Sequence, residues 1–339
     1  MITSIDVASD EGSSRRSGGL RGFAGGAVIA ILSTAALLAG CGQAVPEHPR
    51  TRLRFTSGTP GAGFYPLGEG LARGFERLVP GVDVEVRESE GSVSNVDAIQ
   101  RGVADIGLSY ADVAYIAFVG QLEGRTRFDH LRGIAVLHRT PLHVVVRRGS
   151  SIRSIADLRG QRVATGLSGS GSALTASLLL KAFGLGVHDV RTESLRYNEA
   201  AVRLVAGDLD ALLVVGSQPL EAVTMATRAG ARILPLEGPA IEQLLTADPF
   251  FIRASIAAGA YPGHSRAIHT IGVDNLLVCR DDLNEQLVHD LAQRLFEILP
   301  ELQGPHVAAG TLDLERAPAT PIPLHPGAAR YYREREISR

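Results

Sequence analysis

The chain of 339 residues has no tryptophan, two methionines, two cysteines and one lysine, Lys181. Two cysteines are too few for a disulfide framework or a cysteine-based zinc site. The remaining basic residues are all arginine, which excludes a lysine-rich phosphate surface. Lys+Arg totals 34 against 36 Asp+Glu, a net charge of −2. No basic excess is present for general nucleic-acid binding, so no nucleic-acid partner is expected. Several signatures are missing too. There is no G-x-x-x-x-G-K-[ST] phosphate loop, no clean G-x-G-x-x-G and no H-E-x-x-H. The run Gly166-Leu167-Ser168-Gly169 continues with Ser170 where G-x-S-x-G requires glycine. His138 and His143 lie five apart across Pro141, as do His264 and His269 in another segment, and acidic residues are scattered. No metal site, cofactor or catalytic pair is therefore expected, and the chain does not read as an enzyme.

What is present is a large apolar fraction, 45% against 21% charged, and 38 glycines. That is enough apolar material for a large core, and the length points to two domains with some tail. The first 40 residues read as an export signal: Arg15, Arg16 and Arg21 precede an uncharged stretch over 23–40. Ser14-Arg15-Arg16 leaves the twin-arginine route open beside the general one. Leu38-Ala39-Gly40-Cys41 resembles the lipobox of bacterial lipoproteins, which marks Cys41 for acylation. Residues 41–52, with two prolines and no apolar periodicity, are expected to be a tether. The expected location is extracytoplasmic, anchored to the bacterial cell membrane through Cys41. Cys279 follows Leu276-Leu277-Val278 and reads as a buried strand thiol.

From Leu53 onward, strand and helix patterns alternate. Residues 53–56 form a strand, and Leu67, Leu71, Phe75 and Leu78 recur at helical spacing. Residues 82–86 alternate as a strand, a helix holds Val96 and Ile99, and 105–108 is a strand before a helix over 112–119. The order restarts after residue 150. Strands are expected at 162–165, 190–195 and 211–215, with helices at 174–182 (ended by Gly184) and 198–206. A strand over 273–280 and a helix through Leu287, Leu291, Leu295 and Ile298 follow. Such alternation implies mostly parallel sheets covered by helices.

Each unit carries a glycine- and serine-rich strand-to-helix loop. In 57–63 the glycines let backbone N–H groups face a ligand while the following helix N-terminus adds partial positive charge, which suits a carboxylate or phosphate. The same glycines also suit a tight turn. In Gly91-Ser92-Val93-Ser94-Asn95, either serine suits an N-cap, and the Asn95 amide offers a donor and an acceptor to a ligand. Ser168-Gly169-Ser170-Gly171-Ser172 repeats the design.

These segments together resemble the TAXI group of TRAP-transporter solute-binding proteins. The likeness is carried by Ser57-Gly58-Thr59-Pro60-Gly61-Ala62-Gly63-Phe64-Tyr65-Pro66-Leu67-Gly68 and Glu90-Gly91-Ser92-Val93-Ser94-Asn95. It continues through residues 104–107 and 112–115, Asp157-Leu158-Arg159-Gly160-Gln161-Arg162-Val163-Ala164, Gly169-Ser170-Gly171-Ser172, Asp210-Ala211 with Pro219, and the closing run 322–332. The resemblance spans about residues 53–334. It implies an α/β type II periplasmic-binding-protein fold: two α/β lobes, two crossover strands and a ligand cleft. Lobe I is expected at 53–143 and 273–339 and lobe II at 144–272, with crossovers near 143–146 and 272–275 and the last helices returning to lobe I. It also implies capture of a small organic anion, similar to glutamate, glutamine or a dicarboxylate, for an ion-gradient-driven TRAP permease. The alternative job on this fold is a sensor reporting to a membrane signalling partner. The residues that the resemblance assigns to the ligand are Ser57, Thr59, Gly61, Gly63, Tyr65, Ser92, Asn95, Tyr110, Ser170 and Ser172. Arg147, just past the first crossover, is the candidate to neutralise the anion. The chain departs from the family at Phe64-Tyr65 (usually Tyr-Tyr), Tyr110-Ala111 (usually Gln-Ser), Ser172 (usually Thr) and Gly216-Ser217-Gln218 (often paired Gly). Tyr110 is bulkier than glutamine and lacks its amide, which bears on which anion fits.

Overall fold

The structure is a computed structural model and describes residues 50–186, 188–302 and 315–337. The expected signal, the lipidation site Cys41 and most of the tether lie outside the described residues. The first strand, β1 (Thr51–Thr56), starts inside the segment expected to be tether. It alternates polar and apolar residues, and Leu53 and Phe55 enter the core. Then come α1 (Phe64–Leu78), β2 (Val82–Arg87), α2 (Ser92–Gln100), β3 (Ile106–Tyr110) and α3 (Ala111–Phe118). β1 runs parallel to β2 and β3, as the alternating order requires.

Two long strands organise the rest. β4 (Leu131–Val146) has 16 residues and β10 (Ile268–Arg280) has 13. Between them lie β5 (Arg162–Ala164), α4 (Gly171–Ala182), β6 (Arg191–Glu193), α5 (Tyr197–Ala206), β7 (Ala211–Val215), α6 (Glu221–Arg228), β8 (Arg232–Ile233), α7 (Pro239–Ala247) and β9 (Ile252–Ile256). After β10 come α8 (Glu285–Ile298) and α9 (Pro326–Ile337). The strands join one mixed sheet in the order β2-β1-β3-β10-β4-β7-β5-β6, with β8 on β4 and β9 on β10.

Each long strand changes partner part-way. β4 pairs antiparallel with β10 from Leu131 to Pro141, then with β7 from Leu142 to Val146. β10 pairs with β9 from Ile268 to Gly272, then with β3 from Asn275 to Cys279. Pro141 sits at the exchange. A proline has no N–H for the ladder, so it is tolerated where one set of partners ends and the next begins. Its carbonyl still accepts from the Gly216 N–H at 3.2 Å.

The sequence pattern missed the first twelve residues of β4, the first five residues of β10, and α6, α7, β8 and β9. The expected strand over 190–195 shrinks to the three residues of β6. For β4 the cause is burial on both faces: all but two of its residues are buried, so no period-2 alternation survives in its sequence.

The C-terminal segment returns to the β1–β3 side. α8 lies against α1, and Gly70 and Gly74 of α1 allow it. A Cβ at Gly70 would lie 2.6 Å from Leu302 and one at Gly74 2.6 Å from Ile298. The closing run docks on β4: Gly133 N–H donates to Pro323 O, His325 N–H donates to Gly133 O (2.9 Å each), and the Tyr332 hydroxyl donates to Ile134 O at 2.9 Å. A separate small core under α5 and α6 gathers Val145, Leu204, Leu212, Val214, Val223 and Ile233. Cys279 is fully buried in β10 and burial pushes its thiol pKa up, which keeps it protonated. Among the described residues no helix is long and apolar enough to cross a membrane.

Candidate functional site

The carboxyl ends of β1, β2 and β3 face the carboxyl ends of β5 and β7. Between them lies a narrow cleft of about 40 Å³. One side is formed by Gly58, Thr59, Ala62 and Gly63 before α1, Glu90, Gly91 and Ser92 at α2, and Tyr110 at the end of β3. The other is formed by Ser170 and Gly171 at α4, Tyr197 at α5, and Val215, Gly216 and Ser217 after β7. His138 and Thr140 of β4 and Asn275 of β10 lie at its base.

Of the ten ligand residues expected from the sequence, five line this cleft: Thr59, Gly63, Ser92, Tyr110 and Ser170. Gly61 and Tyr65 line an adjoining depression at its mouth, with Pro219 and Glu221 across from them. Ser57, Asn95 and Ser172 are fully buried behind the lining. The Ser57 hydroxyl donates to Phe64 O at 2.7 Å. The Asn95 amide is committed to the protein: Nδ2 donates to Ser57 O (2.6 Å) and Leu108 O (2.7 Å), and Oδ1 accepts from the Thr56 hydroxyl (2.6 Å). Ser172 Oγ accepts from Val215 N–H at 2.9 Å and bonds the Tyr197 hydroxyl at 2.7 Å, so it orients a side chain that does line the cleft.

Neither serine of 92–94 caps α2. The cap is Gly91, whose φ of 129° requires glycine, and a Cβ there would lie 3.3 Å from the Ser170 backbone. Ser92 Oγ instead accepts the Tyr110 N–H at 3.0 Å. Ser170 does cap α4, accepting from Ala173 N–H at 3.2 Å.

Arg147 is not in the cleft. It lies where β4 meets the start of β7, at the opposite end of the strands. There it pairs with Asp210 at 3.1 Å, and Arg162 grips the same carboxylate at 3.0 Å. These hydrogen bonds, Arg162 foremost, hold Asp210 down at about 2. The site residues missed from sequence are Glu90, His138, Thr140, Tyr197, Ser217 and Asn275. His138 and Thr140 share one face of β4 by the two-residue period, a signal invisible until that strand is recognised.

The electrostatics are distinctive. Among the described residues no lysine or arginine lines the cleft. The one carboxylate, Glu90, stands at the exposed rim and accepts the Gly169 N–H at 2.7 Å. The first residues of α1, α2, α4 and α5 all line the cleft, and a helix N-terminus carries partial positive charge. Burial pushes the Tyr110 and Tyr197 hydroxyls up, so both remain donors. Burial pulls His138 down to about 4, which leaves it neutral, with Nε2 3.1 Å from Ser217 Oγ. Among the described residues no carboxylate orients that imidazole, as a base activating a serine would need. Among the described residues no group of three metal-ligating side chains occurs.

The two sides of the cleft touch. Besides Glu90 and Gly169, Ser94 N–H donates to Gly169 O (3.1 Å) and the Tyr110 hydroxyl donates to Val215 O (3.0 Å). The Thr175 hydroxyl of α4 donates to Asp112 of α3 at 2.6 Å. Asp112 is fully buried, and desolvation lifts its pKa from 3.8 to about 6. The folded state therefore binds this proton more tightly than the unfolded chain. Its contribution to stability falls as pH rises from about 4 to 6, by about 3 kcal/mol in all. Asp112→Asn is expected to remove that slope. Urea midpoints at pH 4, 5, 6 and 7 measure it, and an unchanged slope in the variant would refute the assignment.

Comparison with known proteins agrees with this architecture. MatC from Rhodopseudomonas palustris with bound malate superposes with a TM-score of 0.55, covering 85% of this chain and 98% of that one at 14% identity. The periplasmic binding protein BugD gives 0.54, covering 85% and 96% at 14% identity. The alkanesulfonate-binding protein SsuA from Xanthomonas axonopodis pv. citri bound to MOPS gives 0.50, covering 76% and 75% at 16% identity. The fold is thus that of the periplasmic binding proteins: an α/β architecture with one curled mixed sheet organised by two long strands. The sequence itself matches the NMT1-like family over residues 55–335, most of its length. The chain belongs to the NMT1-like family.

Proposed function

We propose that the protein is an extracytoplasmic solute-binding protein that captures a small organic anion in this cleft and delivers it to a membrane permease. The observation that carries the reading is the convergence of four helix N-termini on an enclosed space whose lining is otherwise nearly uncharged. Backbone N–H groups at helix starts are ready-made partners for a carboxylate. The relatives in the fold include one with malate bound and one with MOPS bound, each of which carries an acid group, carboxylate or sulfonate.

In this reading residues 53–143 and 273–339 form lobe I and 144–272 form lobe II, with β4 and β10 as the hinge. Thr59, Gly63, Ser92, Tyr110 and Ser170 contact the solute, and Gly61 and Tyr65 guard the mouth. Cys41 carries the lipid anchor, and the TAXI-like motifs make a TRAP permease the partner.

The test is thermal unfolding of the chain lacking residues 1–41 against amino acids, dicarboxylates and 2-oxoacids. A ligand that binds only the folded state stabilises it by about 2.7 kcal/mol at a hundred times its Kd. A concentration-dependent shift with an organic anion, weakened about tenfold in affinity by Thr59→Val, is expected. No shift with any anion, at millimolar concentration, would sink the proposal.

A further inference from the structure

A carboxylate enclosed in this cleft would meet no arginine or lysine side chain among the described residues. Burying an anion without compensation is costly. Helix N-termini supply only part of a charge each. One lining side chain can become a full cation: His138, at the base of the cleft on β4.

Its surroundings are neutral on every side. Ser217 beyond β7 touches Nε2 at 3.1 Å. Asn275 of β10 donates its amide to the His138 carbonyl at 2.9 Å and to the Thr140 hydroxyl. Tyr110 from β3 and Tyr197 from α5 line the same space as protonated phenols. Glu90 is at the rim with its carboxylate engaged by Gly169. The neighbouring Arg139 alternates to the opposite face of β4 and is matched by Asp274, which Arg316 also holds. His143 lies five residues on, hence on the other face, and bonds the Tyr261 hydroxyl at 2.9 Å.

We infer that His138 takes up a proton from solvent when a small carboxylate binds, so that the anion and the proton enter the cleft together. This deepens the solute-binding proposal and rests on it. In the empty closed cleft burial keeps the imidazole neutral. A carboxylate within hydrogen-bond reach favours the imidazolium and lifts its pKa. The balance is simple: neutral imidazole, one proton and one carboxylate give a net-neutral ion pair, and no bond to carbon changes. Because the bound state holds the proton more tightly, carboxylate affinity rises as pH falls between the free and bound values, by at most tenfold per pH unit.

The experiment titrates the full-length chain in detergent with pyruvate, malate, 2-oxoglutarate and glutamate in weakly buffered salt, following pH with an electrode and binding by calorimetry. About one proton taken up per carboxylate bound at pH 6, falling towards pH 8, with affinity increasing about tenfold from pH 8 to 6, is expected. His138→Gln is expected to bind without proton uptake and with a flat profile. The wild-type slope stands as a test even where the variant fails to fold. Tight binding with no proton uptake and no pH slope overturns the inference and leaves the solute-binding proposal intact. Binding of none of the four carboxylates overturns both.

Discussion

Asn95→Ala is expected to destabilise the protein by about 3 kcal/mol, measured as a drop in the urea midpoint. Its amide ties three pieces of chain at the head of the cleft: the hydroxyl of Thr56 on β1, the carbonyl of Ser57 just beyond, and the carbonyl of Leu108 on β3. All three contacts are fully buried, so truncation leaves a hydroxyl without its acceptor and two carbonyls short of a donor. Each such loss costs about 1–3 kcal/mol, and solvent cannot enter to repair it. Asn95→Asp is no rescue, because it turns a carboxylate toward two carbonyl oxygens. A variant within 1 kcal/mol of wild type would show that the bracket does not hold the site.

Asn95 also shows where sequence reading stops. A residue with a donor and an acceptor, placed just after a Gly-Ser turn at a strand-to-helix junction, has the chemistry of a ligand contact. It also has the chemistry of a brace, and only the fold distinguishes them. Here the two strand ends that it bridges are distant in sequence, so their proximity is a property of the β1–β3 pairing. Ser57 and Ser172 teach the same lesson. Their motif neighbours Thr59 and Ser170 line the cleft, while they themselves face backbone groups behind it.

The alternation of strands and helices and the two glycine-serine loops were legible because each is local. Loop 57–63 and loop 168–172 do open helices that face one space. The base of the cleft was not legible, because His138, Thr140 and Asn275 sit on strands buried on both faces, whose sequences carry no period. Arg147 misled for a related reason. It follows a strand correctly placed, but at the end away from the cleft, and strand direction relative to the cleft is a matter of topology. Its real partner, Asp210, is one that the motif pattern did contain.

Gly171→Ala is expected to weaken ligand binding about a hundredfold while leaving global stability within about 1 kcal/mol. Gly171 opens α4 on one side of the cleft, and a Cβ there would strike the Tyr110 ring and lie 2.7 Å from Ser92 Oγ on the other side. Tyr110 cannot readily yield. Its ring packs edge-on against Phe64 at 5.0 Å, and its hydroxyl is tied to Val215 O. Within one lobe such overpacking strains the fold, by about 1–3 kcal/mol. In the proposed two-lobe closure it is relieved by opening, so the strain then falls on the closed state alone. About 2.7 kcal/mol against closure is a factor of a hundred in apparent affinity. Alanine at the first helical position is itself a good helix former, so α4 gains rather than loses. Calorimetry with an anion that the wild type binds, paired with a urea midpoint, separates the two effects. X-ray scattering then reports whether the ligand still contracts the molecule. Wild-type affinity in Gly171→Ala would mean that the solute is held in a form more open than this one. A matching loss of stability would mean that residues 110 and 171 do not move apart at all.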